Sequence, residues 1–118
     1  MRELDGMVAL VTGSARNIGR VTAEELARAG AAVAINSKQT RDLCEEVSEG
    51  IKASGGEALV AMGDVSDSSQ VNEILATTIR SFGGIDIVVH NAAVRSNQSI
   101  EELDFKTFKH IVDLSIHG

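Results

Sequence analysis

Two glycines stand close together directly after the first apolar run of the chain, in the segment TGSARNIG at residues 12–19. Gly13 ends the run, and Gly19 follows six residues later. A glycine there allows a tight turn and lets the backbone approach a pyrophosphate, and a following helix offers free N–H groups to the anion. The spacing is wider than in the common G-x-G-x-x-G pattern. A glycine-rich turn alone is weak evidence for a nucleotide site, so its meaning depends on the surrounding elements.

The glycine segment lies at the first strand-to-helix junction of an alternating chain. The apolar run 7–12 is typical of a strand buried on both faces of a parallel sheet, and further strands are predicted in 31–36, 57–65 and 85–93. Helical periodicity predicts helices over 18–29, from 40 to the glycine pair 55–56, over 67–82 and from 104 onward. In the first helix, the residues expected on the inner face are Ile18, Val21, Leu26 and Ala29.

This alternation predicts an α/β fold with parallel strands and right-handed crossovers. We expect a Rossmann-type doubly wound sheet that is truncated after the fourth strand and the following helix. Residues 1–118 are then one partial dinucleotide-binding domain, and the other half of the sheet is absent from the sequence.

Three motifs together resemble the short-chain dehydrogenase/reductase family. TGSARNIG is similar to the family pattern T-G-x-x-x-G-x-G, and HNAA at 90–93 to N-N-A-G. Asp64-Val65 is similar to the segment in which the family has an acidic residue after the third strand that meets the adenine ring. They occur in the family's order and on the expected elements. The resemblance implies cofactor contacts from Thr12, Gly13, Ser14, Arg16, Asn17, Ile18, Gly19, Ser37, Lys38, Asp64, Val65, Asn91, Ala92 and Ala93.

The chain departs from the family pattern at three of these motif positions. Asn17 replaces the middle glycine, and asparagine is the residue other than glycine that best tolerates a left-handed backbone. His90 and Ala93 replace the first Asn and the final Gly of N-N-A-G. Both exchanges lie where the family packs against the nicotinamide ribose.

The end of the second predicted strand bears on the choice of nucleotide. A carboxylate there binds the ribose hydroxyls of NAD and repels the extra phosphate of NADP. In this chain Ser37 occupies that position, Lys38 follows it, and Arg16 of the glycine loop can reach the same phosphate. Two cations without an anion favour NADP(H) over NAD(H). The alternative is that Arg16 and Lys38 are solvated surface charges.

The family's catalytic groups are the least represented part of the resemblance. It implies hydride transfer between nicotinamide and a carbonyl or alcohol, with a Tyr as acid or base, a Lys four residues later, a Ser and a relay Asn. A free Tyr has a pKa of about 10 and needs a neighbouring cation to act near neutrality. The 118 residues contain no tyrosine, and Ser115 aligns with the relay Asn. We therefore assign no catalytic residue beyond this weak match.

Composition excludes several other classes of function. The net charge of −6 argues against nucleic acid or an anionic membrane as the main partner, and no apolar run is long enough for a membrane helix. The lone Cys44 fits a reducing, cytoplasmic environment and is expected to be a packed, inert thiol. Three histidines lack neighbouring ligands at metal-binding spacing, so we expect no metal site.

The sequence thus favours the cofactor-binding part of a short-chain reductase or dehydrogenase, and it is most similar to the branch that reduces 3-oxoacyl thioesters. The alternative is a non-catalytic dinucleotide-binding module or an inactive fragment. The resemblance also implies a homo-oligomer for the full-length parent, assembled through the helix that begins at Asp104 and the one after it. We expect that interface to be lost in this chain.

Overall fold

The computed structural model describes residues 2–15 and 17–90. Within them strands and helices alternate, as the sequence predicted. The strands are β1 (Val8–Thr12), β2 (Ala32–Ile35), β3 (Glu57–Val60) and β4 (Ile87–His90), and the helices are α1 (Asn17–Arg28), α2 (Arg41–Ala53) and α3 (Ser68–Phe82). The helix expected from Asp104 lies outside the described residues.

The four strands form one parallel sheet in the order β3-β2-β1-β4. The first three strands are added in one direction, whereas β4 pairs with the other edge of β1. This reversal makes a topological switch point at the carboxyl ends of β1 and β4, and open α/β sheets bind their ligands at such points. The predicted Rossmann-type fold is confirmed.

Helices cover the sheet on both faces. On one face, α1 and α2 pack on the odd-numbered side chains of β1, with the buried cluster Ala9, Val11, Ala15, Ala23, Ala27, Ala31, Val33, Ile35, Cys44, Val47, Ile51, Ala58 and Val89. On the other face, α3 packs on the even-numbered side chains, with Val8, Leu10, Ala34, Ala61, Val65, Val71, Ile74, Leu75, Ile85 and Val88. Because strand side chains alternate between faces and helices cover both, β1 is buried along its whole length.

The inner face of α1 differs from the expectation. Ile18 and Val21 are 50% and 55% exposed, whereas Ala23 and Ala27 are buried against the sheet. Leu26 packs at the margin of the same cluster. The larger apolar side chains therefore do not mark the buried stripe, because the methyl groups of Ala23 and Ala27 let α1 lie close to the strands.

The first residues of α2 and α3 are capped differently. As a threonine directly before α2, Thr40 is expected from the sequence to cap that helix. Its side chain makes no capping hydrogen bond, and its hydroxyl instead contacts the hydroxyl of Ser37 at 2.5 Å. At α3, the Asp67 carboxylate accepts from the backbone N–H groups of Ser69 and Gln70. Hydrogen bonds from Ser69 and Gln70 lower the pKa of Asp67, so this cap stays ionised at neutral pH.

Cys44 lies on α2 and is fully buried in the cluster beneath it, as expected. Burial raises the pKa of its thiol, and hydrogen bonding to Ser37 opposes the shift only in part. Because the thiolate is the reactive species, we expect Cys44 to react with a disulfide reagent at least about 100-fold more slowly in native buffer than in denaturant. Absorbance of the released thiolate measures both rates. Equal rates would show that α2 does not protect the thiol.

Candidate functional site

The last residues of β1 and β4 lie side by side at the switch point of the sheet. Thr12 pairs with His90 in the sheet register, and Thr12 Oγ1 lies 3.1 Å from His90 Nδ1 in a buried hydrogen bond. The imidazole thus joins the two strands across the switch point. The sequence identified His90 as a departure from the family pattern but did not indicate this bond to Thr12.

The glycine loop leaves β1 through a left-handed residue. Gly13 has φ of 61°, a conformation that costs an L-residue with a side chain about 1–2 kcal/mol. The next residue, Ser14, is buried, and its Oγ donates to the carbonyl of Val11 at 2.8 Å. The backbone N–H of Ser14 also donates to the carbonyl of Asn36 at 2.8 Å. These bonds fix the turn against the end of β2.

Asn36 is the residue that the sequence analysis missed. It follows β2 and is buried, and its Oδ1 accepts from the Gly13 N–H at 3.4 Å. Its Nδ2 donates to the carbonyls of Ala61 at 2.9 Å and Gly63 at 3.2 Å. Asn36 therefore joins the chain segments that leave β1, β2 and β3. The feature of the sequence that could have indicated this role is a single amide side chain at the end of the apolar run AAVAIN.

The amino end of α1 follows the glycine loop directly. The helix begins at Asn17, and its first turn contains no acidic side chain that would repel an anion. Gly19 is buried in this turn, and the half-exposed Ile18 lies beside it. Free backbone N–H groups at a helix start favour phosphate, so the left-handed turn and this helix fit the pyrophosphate of a dinucleotide. Arg16 lies outside the described residues.

The carboxyl end of β2 carries no carboxylate at the position that selects NAD in the family. Ser37 is buried there, and its Oγ accepts from the backbone N–H of Thr40 at 3.0 Å. Lys38 follows, and its Nζ lies 3.4 Å from Oδ2 of Asp64, which comes after β3. The structure therefore brings two predicted cofactor residues into one ion pair.

Asp64 also organises its own turn. Its Oδ1 accepts from the backbone N–H of Ser66 at 2.9 Å and from the Ser66 hydroxyl at 2.6 Å. The Ser66 hydrogen bonds are the main cause of the lowered pKa of Asp64, and the charge of Lys38 lowers it further. Val65, which lies between Asp64 and Ser66 in the sequence, packs into the core on the α3 face. Only its backbone is therefore available to contact a ligand.

Several predicted positions lie outside the described residues, namely Asn91, Ala92, Ala93 and Ser115, together with His110 and His117. Within residues 2–15 and 17–90, no group of three or more His, Cys, Asp or Glu side chains is placed to hold a metal ion. The described helices include none with the length and hydropathy to cross a membrane.

The glycine loop and the strand order define a Rossmann-type α/β protein. The sequence model of the short chain dehydrogenase family matches residues 7–118. The chain belongs to this family, and the resemblance seen in its motifs is confirmed.

Known relatives support this assignment. A 3-oxoacyl-[acyl-carrier-protein] reductase of Synechocystis is 33% identical over 118 residues, which are all of this chain and 48% of that protein. A short chain dehydrogenase of Burkholderia cenocepacia, crystallised in complex with NADP, is 35% identical with a TM-score of 0.75 over 90% of this chain and 43% of that one. A 7α-hydroxysteroid dehydrogenase complexed with NADH and 7-oxo glycochenodeoxycholic acid is 31% identical, with a TM-score of 0.74 over 77% and 35%. The chain thus spans about half the length of the curated relatives it matches.

Proposed function

We propose that residues 1–118 form the cofactor-binding part of a nicotinamide-dependent oxidoreductase that acts on a small carbonyl or alcohol. One observation carries the proposal: a left-handed Gly13, followed by a helix start without acidic residues, lies at the switch point of the sheet. Membership of the short chain dehydrogenase family supports it.

The chain's own groups would bind and orient the dinucleotide. The N–H groups at the start of α1 would hold its pyrophosphate, and Ile18 would offer an apolar contact in the same turn. The Thr12–His90 pair would form the floor beneath the nicotinamide end. When bound, the nicotinamide supplies or accepts the hydride. Asn91, Ala92, Ala93, Arg16 and Asn17 remain predicted contacts.

We propose NADP(H) as the preferred cofactor. Ser37 replaces the NAD-selecting carboxylate, and Lys38 places a cation beside it. Similar proteins have been solved with NADP and with NADH, so the residues that favour NADP(H) in this chain are Ser37 and Lys38.

The remaining proposals concern the parent protein. Similarity to the Synechocystis reductase supports a 3-oxoacyl thioester or a similar small carbonyl compound as substrate. The single, buried Cys44 supports a cytoplasmic location. We also propose that the full-length parent is a homo-oligomer and that Ser115 occupies the relay position.

A non-catalytic nucleotide-binding module is the second candidate. It requires no catalytic groups, and the 118 residues contain no tyrosine. Measuring carbonyl reduction by the full-length parent, alongside nucleotide binding, separates the two. Binding without turnover by the parent supports the module, and turnover excludes it.

The test of nucleotide binding compares two glycine variants. We expect wild-type protein to bind NADPH in a fluorescence titration and Gly13→Ala to weaken binding at least about 10-fold, because the added Cβ disfavours the left-handed turn. Gly83→Ala is the matched control: Gly83 ends α3 with φ of 88°, and an added Cβ there meets no atom within 4 Å. Equal effects of the two substitutions would show that the loop does not hold the nucleotide.

A further inference from the structure

The ion pair between Lys38 and Asp64 joins positions expected to meet different parts of the nucleotide. By resemblance, the position of Lys38 faces the 2′-substituent of the adenosine ribose, and Asp64 faces the adenine ring. In the structure their charged atoms lie 3.4 Å apart, so the two contacts are not independent. A nucleotide group that binds one of these side chains therefore changes what the other side chain can bind.

The two partners differ in how firmly they are held. Asp64 is fixed through hydrogen bonds from Ser66, and its backbone N–H donates to the side chain of Gln70 at 2.8 Å. The Asp64 side chain is 24% exposed. Lys38 is 65% exposed, and within residues 2–15 and 17–90 its ammonium group is paired with Asp64. An incoming anion would therefore move Lys38 and leave Asp64 in place.

The strength of the ion pair between Lys38 and Asp64 determines how easily a ligand can draw Lys38 away from Asp64. An ion pair this exposed stabilises its geometry weakly, so a ligand carrying more than one negative charge can compete for the lysine. A 2′-phosphate is such a ligand, whereas a ribose hydroxyl is not. The unphosphorylated nucleotide leaves the pair intact.

We propose that Asp64 is a specificity-determining residue that acts through Lys38, holding its ammonium group and so restraining the preference for 2′-phosphorylated nucleotides. The inference rests on the proposed nucleotide-binding function. Lys38 alone would favour the phosphate, and Asp64 reduces that advantage because the phosphate must draw the ammonium group away. This chain is then less selective than its Ser37-Lys38 sequence indicates.

The experiment compares adenosine 2′,5′-bisphosphate with adenosine 5′-monophosphate by calorimetric titration of the whole chain. In Asp64→Asn, the amide oxygen can still accept from Ser66, but the charge on Lys38 is no longer balanced. We expect the ratio of the two Kd values to shift about threefold toward the bisphosphate. Asp67→Asn is the matched control, since asparagine also caps a helix and Asp67 is not paired with Lys38. It should leave the ratio unchanged.

Repeating the Asp64→Asn substitution in a Lys38→Gln variant shows whether its effect on the ratio of Kd values depends on Lys38. In Lys38→Gln, the Asp64→Asn substitution should change the ratio less than about 1.5-fold, since no ammonium group is left to release. The same threefold shift in both backgrounds would overturn the proposal, because the carboxylate would then act on the phosphate directly. An unchanged ratio in Asp64→Asn alone would also overturn it. Failure of the wild-type chain to bind either nucleotide would instead reject the nucleotide-binding function, and with it this inference.

Discussion

Replacing Asn36 by aspartate is expected to lower the free energy of unfolding by at least about 3 kcal/mol at neutral pH. The Asn36 amide is buried and donates two hydrogen bonds, to the carbonyls of Ala61 and Gly63. An ionised carboxylate of the same shape presents oxygen to both carbonyls and has no proton to donate. The substitution therefore removes two bonds and places a buried charge beside two partial negative charges.

Asn36→Ala separates the lost bonds from the added charge. Alanine leaves the carbonyls of Ala61 and Gly63 without this donor but introduces no charge, so we expect a smaller loss of about 2 kcal/mol. Urea unfolding followed by far-UV circular dichroism measures both values. Asn72→Asp on the exposed side of α3 is the matched control and should stay within about 0.5 kcal/mol of wild type. If Asn36→Asp were no worse than Asn72→Asp, the network around Asn36 would not stabilise the fold.

The same network connects stability to the proposed function. Asn36 accepts from the N–H of Gly13, and its backbone binds Ser14, so its loss releases the glycine loop as well as the end of β3. A loop that must be ordered on binding reduces affinity. Asn36→Ala should therefore weaken NADPH binding even under conditions where the protein remains folded.

Most of the architecture is visible in local sequence patterns. The almost wholly apolar run 7–12 predicts a strand covered on both faces, and the structure buries all five residues of β1. Helical spacing predicts an inner stripe of α3 made of Val71, Ile74, Leu75, Thr78 and Phe82. The structure buries the first four and packs Phe82 at the margin of the cluster. These elements are predictable because each depends on its own periodicity.

The site is less predictable because its contacts join residues far apart in sequence. Asn36 contacts residues 61 and 63, and Lys38 meets Asp64, only after β2 and β3 have paired. The hydrogen bond between Thr12 and His90 likewise requires the register of β1 with β4. Motifs identified the participating loops, but no local pattern contains the bonds between them.

The prediction for the inner face of α1 was wrong at Ile18 and Val21, for a different reason. Counting large apolar residues selected these two with Leu26, but only Leu26 packs against the cluster, and the fully buried positions are the small residues Ala23 and Ala27. Where a helix packs closely on a sheet, the available space limits side-chain size, and the larger apolar residues lie on another face. Alanine is weakly hydrophobic, so its buried stripe is easily missed in a sequence.

A pair of aspartate substitutions in α1 tests this corrected face. Ala23 is fully buried, so Ala23→Asp would place an unpaired carboxylate in the cluster between α1 and the sheet, and we expect a loss of at least about 4 kcal/mol or no cooperative unfolding at all. Val21→Asp is the matched control two residues earlier. Val21 is 55% exposed, and aspartate has a helix propensity similar to that of valine, so its loss should stay below about 1 kcal/mol.

Thermal unfolding of the two variants decides between the two possible faces. If the larger residues formed the buried stripe, Val21→Asp would be the damaging change and Ala23→Asp would be tolerated. The expected order is the reverse, because a carboxylate at position 23 has neither water nor a cation among the residues packed around it. The difference between the variants cancels the common effect of adding a negative charge near the middle of α1. It therefore reports burial, the property on which the sequence and the structure disagree.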